Sequence, residues 1–126
     1  MKAIIKFMIL STLLIASLSI HVAAQKEVMV PRMVGGYDDA STRDAQIHRA
    51  VAVALKKRST KEHHSITLVK INKAEKQVVS GMNYRVCMDV REGRRGKVQT
   101  VTAVVYEPIR KPLRLTNWQE GGCKEL

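Results

Sequence analysis

Apolar residues recur at Ile47, Ala50, Val51, Ala54 and Leu55, the spacing that lines one face of a helix. Ser41 stands ahead of the stripe as its expected cap, and Asp44 three residues on favours the first turn. Lys56, Lys57 and Arg58 follow, where cations complement the C-terminal dipole. The β-branched Val51 and Val53 lower the intrinsic propensity, so this helix must be held by packing. Beyond it the period drops to two. Residues 65–71 put Ile66, Leu68 and Lys70 on one face and Thr67, Val69 and Ile71 on the other, and residues 73–79 extend the run. Tyr84, Val86, Met88 and Val90 alternate against Arg85, Cys87, Asp89 and Arg91, which predicts a half-buried antiparallel strand. Gly93 and Gly96 bracket a turn, residues 98–107 form a long β-branched run, and residues 113–118 form a last short strand. Pro108 and Pro112, which cannot donate to a ladder, break the chain between these two. A further short strand has room before the helix. The pattern predicts an α+β fold: one helix packed across an antiparallel sheet of four to five strands.

The first residues read differently. Lys2 and Lys6 precede an apolar run that ends in the small residues Ala23 and Ala24. That is the order of a secretory leader, and residues 1–24 are expected to be removed after Ala24. The run from Phe7 to Ile20 is shorter than the ~20 residues a spanning helix needs, so no stable membrane insertion is expected. Residues 25–36 carry Pro31 and the pair Gly35-Gly36 without periodicity and read as an extended arm. Residues 37–126 form the single domain. Loss of the leader takes two of the 22 Lys and Arg and none of the 11 Asp and Glu, leaving a net charge of +9. Such a charge favours acidic proteins or anionic surfaces. Secretion argues against nucleic acid, as does the separation of the basic residues from the few aromatics.

No catalytic constellation emerges. His48 lies on the helix and His63-His64 in a loop, none of them beside a nucleophile motif. Ser80 precedes Gly81 with nothing to activate it. Adjacent histidines do not suit two ligands of one metal, and no phosphate loop or dinucleotide fingerprint exists. The chain is therefore expected to be no enzyme and to need no metal or cofactor.

What stands out is turn chemistry. "QVVSG", residues 77–81, sets Val78 and Val79 at a bend, where polar and glycine residues are the norm. "EPIR" sets Ile109 at another. These bends join the first strand pair and the third. In an up-and-down sheet alternate turns lie at one end, so the two should sit side by side. Clustered exposed apolar groups mark a binding surface.

In this order, a Gly-Gly arm, an amphipathic helix, "QVVSG", "NYRV" and a Pro-containing last hairpin, the chain resembles the cystatins, inhibitors of papain-like cysteine proteases. Gln77, Val79 and Gly81 complete the Q-x-V-x-G motif. The resemblance implies a twisted sheet wrapped around one helix, and a wedge that plugs a protease cleft without being cleaved. It assigns protease contact to Val34, Gly35 and Gly36 of the arm, to Gln77, Val78, Val79, Ser80 and Gly81 of the first turn, and to Pro108 and Ile109 of the second. Many members carry Pro-Trp in the second hairpin. Here Trp118 lies beyond the bend, and Pro108-Ile109 occupies it as in stefin-like members. "VGGY" and "NYRV" lean toward the plant members, whereas Ala50 stands near a position where those carry an aromatic.

Two cysteines remain, Cys87 on the second strand and Cys123 after the last. In an oxidising compartment they would pair. A strand lies between them, however, which separates their backbones by about 9–10 Å, beyond the ~7 Å a disulfide spans. Either the "EGGC" tail folds back or the thiols stay free or pair between molecules. A monomer is expected, with strand exchange through the valine-rich turn as the route to a dimer. The rival is a secreted, cationic binding or defence protein of the same fold that does not inhibit, acting through "KKRSTK" and "REGRRGK".

Overall fold

The computed structural model describes residues 35–124. The leader, Val34 and the rest of the arm before Gly35 lie outside them. Five strands and one helix follow in the order β1 (Asp38–Ala40), α1 (Ala45–Glu62), β2 (Ile66–Val79), β3 (Gly81–Glu92), β4 (Val98–Pro108) and β5 (Arg114–Glu120). They pair antiparallel in chain order, β1-β2-β3-β4-β5. No helix among the described residues is long and apolar enough to cross a membrane.

The helix begins later than Ser41 implies. Asp44 is its cap, and its carboxylate accepts from the Gln46 amide at 2.8 Å. Ser41 instead closes a local turn, accepting from the Arg43 amide. The stripe Ile47, Ala50, Val51 and Ala54 is buried against Tyr84, Val86, Met88 and Val90 of β3 and Val101, Ala103 and Val105 of β4. Alanine at two of these helix positions brings the helix close to the sheet. His63 ends the helix in the left-handed region, φ 57°.

Strict alternation fails in β2. Register shifts between Leu68 and Lys70 and between Ile71 and Lys73 insert an extra residue twice. Each β-bulge moves the following residues to the other face. Ile66, Leu68, Ile71 and Ala74 therefore face the core, and Lys70 is exposed rather than inward. The bulges let a strand of 14 residues bend around the helix.

The face of β3 away from the helix is also covered. Arg85 and Cys87 are buried although their alternation predicts solvent. Over Arg85 lies a cluster: its Nε donates to Glu75 at 2.6 Å, its guanidinium stacks 3.9 Å from the Tyr37 ring centre, and Lys73 joins Glu75 at 2.9 Å. Over Cys87 lies the C-terminal tail. Gly121 and Gly122, with φ of 92° and 106°, reverse the chain after β5. The Thr102 hydroxyl donates to the Gly122 carbonyl and accepts from the Lys124 amide. This path carries Cys123 across β4 to Cys87, and the two form a disulfide with Cα atoms 5.2 Å apart. Of the alternatives open to the cysteines, the folded-back tail is the one realised.

The hydrogen bond from Arg85, reinforced by Lys73, holds the Glu75 carboxyl below its ordinary range. Thr100 and Asn72 do the same for Asp89, and Lys76 and the Gln46 amide for Asp44. A carboxylate depressed in the folded state contributes stability that is present above its unfolded value, about 4.3 for Glu. That contribution is lost as pH falls through the folded value. Urea midpoints are therefore expected to fall progressively below about pH 4. Glu75→Gln is expected to show a shallower acid slope; a slope unchanged from wild type would remove Glu75 from this account.

Candidate functional site

The β2–β3 connection is as short as a hairpin allows. Val79 pairs with Gly81, leaving Ser80 alone at the apex. The next turn on this edge opens at Pro108, which pairs with Gly81 itself, so the two turns share a backbone contact. The second is closed by the Lys111 amide donating to the Pro108 carbonyl at 3.3 Å, with Arg110 in the left-handed region at φ 58°. The crest thus formed carries Val78 at 70% exposed, Val79 at 41% and Ile109 at 69%. Only Val69 and Val98 are comparably exposed large apolar residues among the described ones, and neither lies in these turns.

Gly81 makes the shared contact possible. Its φ is +127°, and a Cβ there would stand 2.3 Å from the Glu107 carbonyl oxygen and 3.2 Å from the Pro108 Cα. Both are backbone atoms of a paired strand and cannot yield. Gly81→Ala is expected to cost about 1–3 kcal/mol from backbone conformation alone, and to part the two turns. Urea denaturation beside a protease inhibition assay checks this. A stability change within ~0.5 kcal/mol, the ordinary range for surface positions, would contradict it.

The Gln77 amide is bonded within the protein at both ends. Its Nε2 donates to the Gly35 carbonyl at 2.7 Å, and its Oε1 accepts from Asn83 at 2.9 Å. The side chain pins the end of the arm to the first turn. Gly35, at φ 93°, is therefore brought to the crest, with Gly36 beside it. Val34 lies outside the described residues. The remaining expected contact residues, Ser80, Gly81, Pro108 and Ile109, do converge at this edge.

Three supporting groups escaped the sequence. The Tyr106 hydroxyl donates to the Ser80 carbonyl, fixing the apex. Asn83 orients Gln77. Glu107 accepts from Tyr84 at 2.6 Å and pairs with Arg49 of the helix, tying the base of the second turn to the core. Burial, and then the Glu107 carboxylate, push the Tyr84 phenol up to about 12, so it remains a donor throughout the physiological range. Tyr106 was findable in principle, since it sits two residues before Pro108 and opposite Asn83. Trp118 is not at the turn: it pairs with Ala103 and lies under the Arg58 guanidinium, 5.5 Å from the ring centre. Among the described residues no group of three or more His, Cys, Asp or Glu is placed to hold a metal ion.

Comparison with solved structures finds the same fold at low identity. The salivary cystatin of the soft tick Ornithodoros moubata superposes with a TM-score of 0.59 at 19% identity, covering 71% of this chain and 99% of the tick chain. The protein described as Al-CPI superposes with a TM-score of 0.57 at 18% identity, covering 69% of this chain and 100% of the other. No curated protein sequence matches. The Cystatin domain family matches over residues 35–121, from the arm's first described glycine to the tail's reversal, and the chain belongs to the cystatin family.

Proposed function

We propose that this protein is a reversible, tight-binding inhibitor of papain-like cysteine proteases. One observation carries the reading: three aliphatic side chains stand exposed on two turns whose backbones are paired to each other. Isolated, they cost solubility without stabilising the fold. In an apolar cleft each contributes on the order of 1.5 kcal/mol.

The wedge would enter such a cleft with Val78 and Val79 leading and Pro108-Ile109 alongside. Gly35 and Gly36 continue the contact beside the first turn, where Gln77 holds Gly35, and Val34, outside the described residues, is assigned to the same contact by the family resemblance alone. Ser80 and Gly81 supply the sharp bend, and because it is rigidified by Tyr106 and Gly81, little ordering cost falls on binding. In this reading the first turn enters as a closed hairpin with both strands paired to each other, the complex is non-covalent and the inhibitor is not consumed. Members of the family are generally inhibitors rather than enzymes, and typically secreted. The disulfide agrees with an oxidising compartment, as does the leader read from residues 1–24.

Steady-state assays of papain with the purified protein test this. Inhibition is expected to be competitive, reversed on dilution, in the nanomolar range, and nearly unchanged between low salt and ~0.5 M salt, because the crest is apolar. Absence of inhibition of any papain-like enzyme at micromolar protein would overturn the reading.

A further inference from the structure

We propose that the end of the molecule opposite the apolar crest is a docking site for a sulfated polysaccharide. This goes beyond the inhibitory reading and does not depend on it. The β2–β3 and β4–β5 turns occupy one end of the sheet. At the other lie the C-terminus of α1, the start of β2, the β3–β4 turn and the end of β5. Three contacts draw these together: the Gly93 amide donates to the Ser65 carbonyl at 2.7 Å, His64 meets Glu92 at 3.4 Å, and Arg58 meets Glu120 at 3.3 Å.

Six cations, Lys57, Lys61, Arg91, Arg94, Arg95 and Lys97, are exposed on these elements. None has a carboxylate partner among the described residues. The acids nearby are already engaged: Glu62 and Glu120 with Arg58, Glu92 with His64 and Gln99. Counting Arg58, seven cations stand against these three carboxylates, so the field at this end stays positive. The tip is also preformed. A Cβ at Gly96 would lie 1.7 Å from the Glu92 carbonyl oxygen, so the Gly93–Gly96 turn is tightly closed beneath Arg94 and Arg95. Along the flank, Lys57 and Lys61 border an open groove of about 300 Å³ floored by Leu115, Thr116, Asn117 and Trp118.

Guanidinium groups pair with tetrahedral oxyanions through two parallel hydrogen bonds, and their planar fork loses less freedom per bond than an ammonium does. A linear chain bearing sulfates at intervals matches cations spread over a turn and a groove. A bilayer fits less well, because the tip, Gly93-Arg94-Arg95-Gly96, carries no large apolar residue and Val69 and Val98 behind it are the exposed large apolar residues at this end, too little to enter the acyl region. A nucleic acid fits less well, because Trp118, the aromatic of this groove, is half-buried with its ring under the Arg58 guanidinium rather than presented to stack on a base. Facing away from the crest, the site would tether the protein to extracellular matrix while leaving the wedge free.

The test uses immobilised heparin as the probe, with chemically desulfated heparin and phosphatidylserine–phosphatidylcholine vesicles in parallel. Wild type is expected to bind heparin in a salt-sensitive way and desulfated heparin weakly. Arg94→Ala/Arg95→Ala/Lys97→Ala is expected to lose about tenfold in affinity, from three exposed pairs. Lys57→Ala/Lys61→Ala is expected to lose affinity independently. Arg43→Ala/Lys70→Ala/Lys124→Ala removes equal charge elsewhere and is expected to bind within about twofold of wild type. Circular dichroism confirms that each variant is folded. Equal losses in the two triple variants would reduce the effect to net charge and overturn the site. So would unchanged binding in both pole variants, or tighter binding to the vesicles than to heparin.

Discussion

Asp in place of Val79 is expected to weaken protease inhibition by about three orders of magnitude while leaving the fold intact. Two losses combine. The valine's apolar contact, on the order of 1.5 kcal/mol, disappears. A carboxylate must then be desolvated in a cleft with no partner supplied for it, which costs several kcal/mol. The sum exceeds about 4 kcal/mol, or a thousandfold in the inhibition constant. Val79→Ala removes only the first, and about tenfold is expected. In the free protein Val79 is 41% exposed and its backbone pairs with Gly81 whatever the side chain. Unfolding free energy should therefore change by no more than ~0.5 kcal/mol for either variant.

The ratio of the two variants is the informative quantity. If the crest merely approached a wet protease surface, Asp and Ala would weaken inhibition alike, because a solvated carboxylate carries no desolvation cost. An Asp variant within tenfold of wild type would mean that Val79 is not buried in the complex, and the wedge account would fail. Val78, at 70% exposed, provides a second position with still less effect on folding.

Much of this arrangement was legible along the chain because it follows from periodicity and topology. The helix stripe at Ile47, Ala50, Val51 and Ala54 and the core face of β3 are where the 3.6- and 2-residue periods put them. The pairing of Gly81 with Pro108 follows from a meander, in which alternate turns share an end. What escaped has a physical reason in each case. Lys70 is outside because a bulge changes register without leaving a hydrophobic signature. Arg85 and Cys87 are buried because a tail and an aromatic ring cross a face that local alternation marks as wet. Asn83 looks like an ordinary solvent-facing strand residue, and the motif marks Gln77 for a protease contact rather than for holding the arm. Only the folded chain shows that the Gln77 amide is spent on Gly35 and Asn83, leaving the adjacent valines to meet a partner.

Replacing both cysteines by alanine is expected to lower the unfolding free energy by about 4 kcal/mol, and the melting temperature by about 15–25 °C, without affecting inhibition in the folded state. The stability term follows from the 36-residue separation of Cys87 and Cys123, whose crosslink removes that much loop freedom from the unfolded chain. In the folded chain the tail would lose its anchor, and Thr102, now hydrogen-bonded to Gly122 and Lys124, would be opened to water. The crest is insulated from this. Cys87 lies opposite Lys73 and Thr102 in the middle of the sheet, and the hydrogen bonds that hold the turns run from Gln77 to Gly35, from Asn83 to Gln77 and from Tyr106 to Ser80. Inhibition constants measured well below the melting temperature should therefore match wild type within about twofold, the scatter expected of distant, independent sites. A folded double variant that no longer inhibits would show that the tail sets the geometry of the turns through β3 and β4, and the crest could not be regarded as self-supporting.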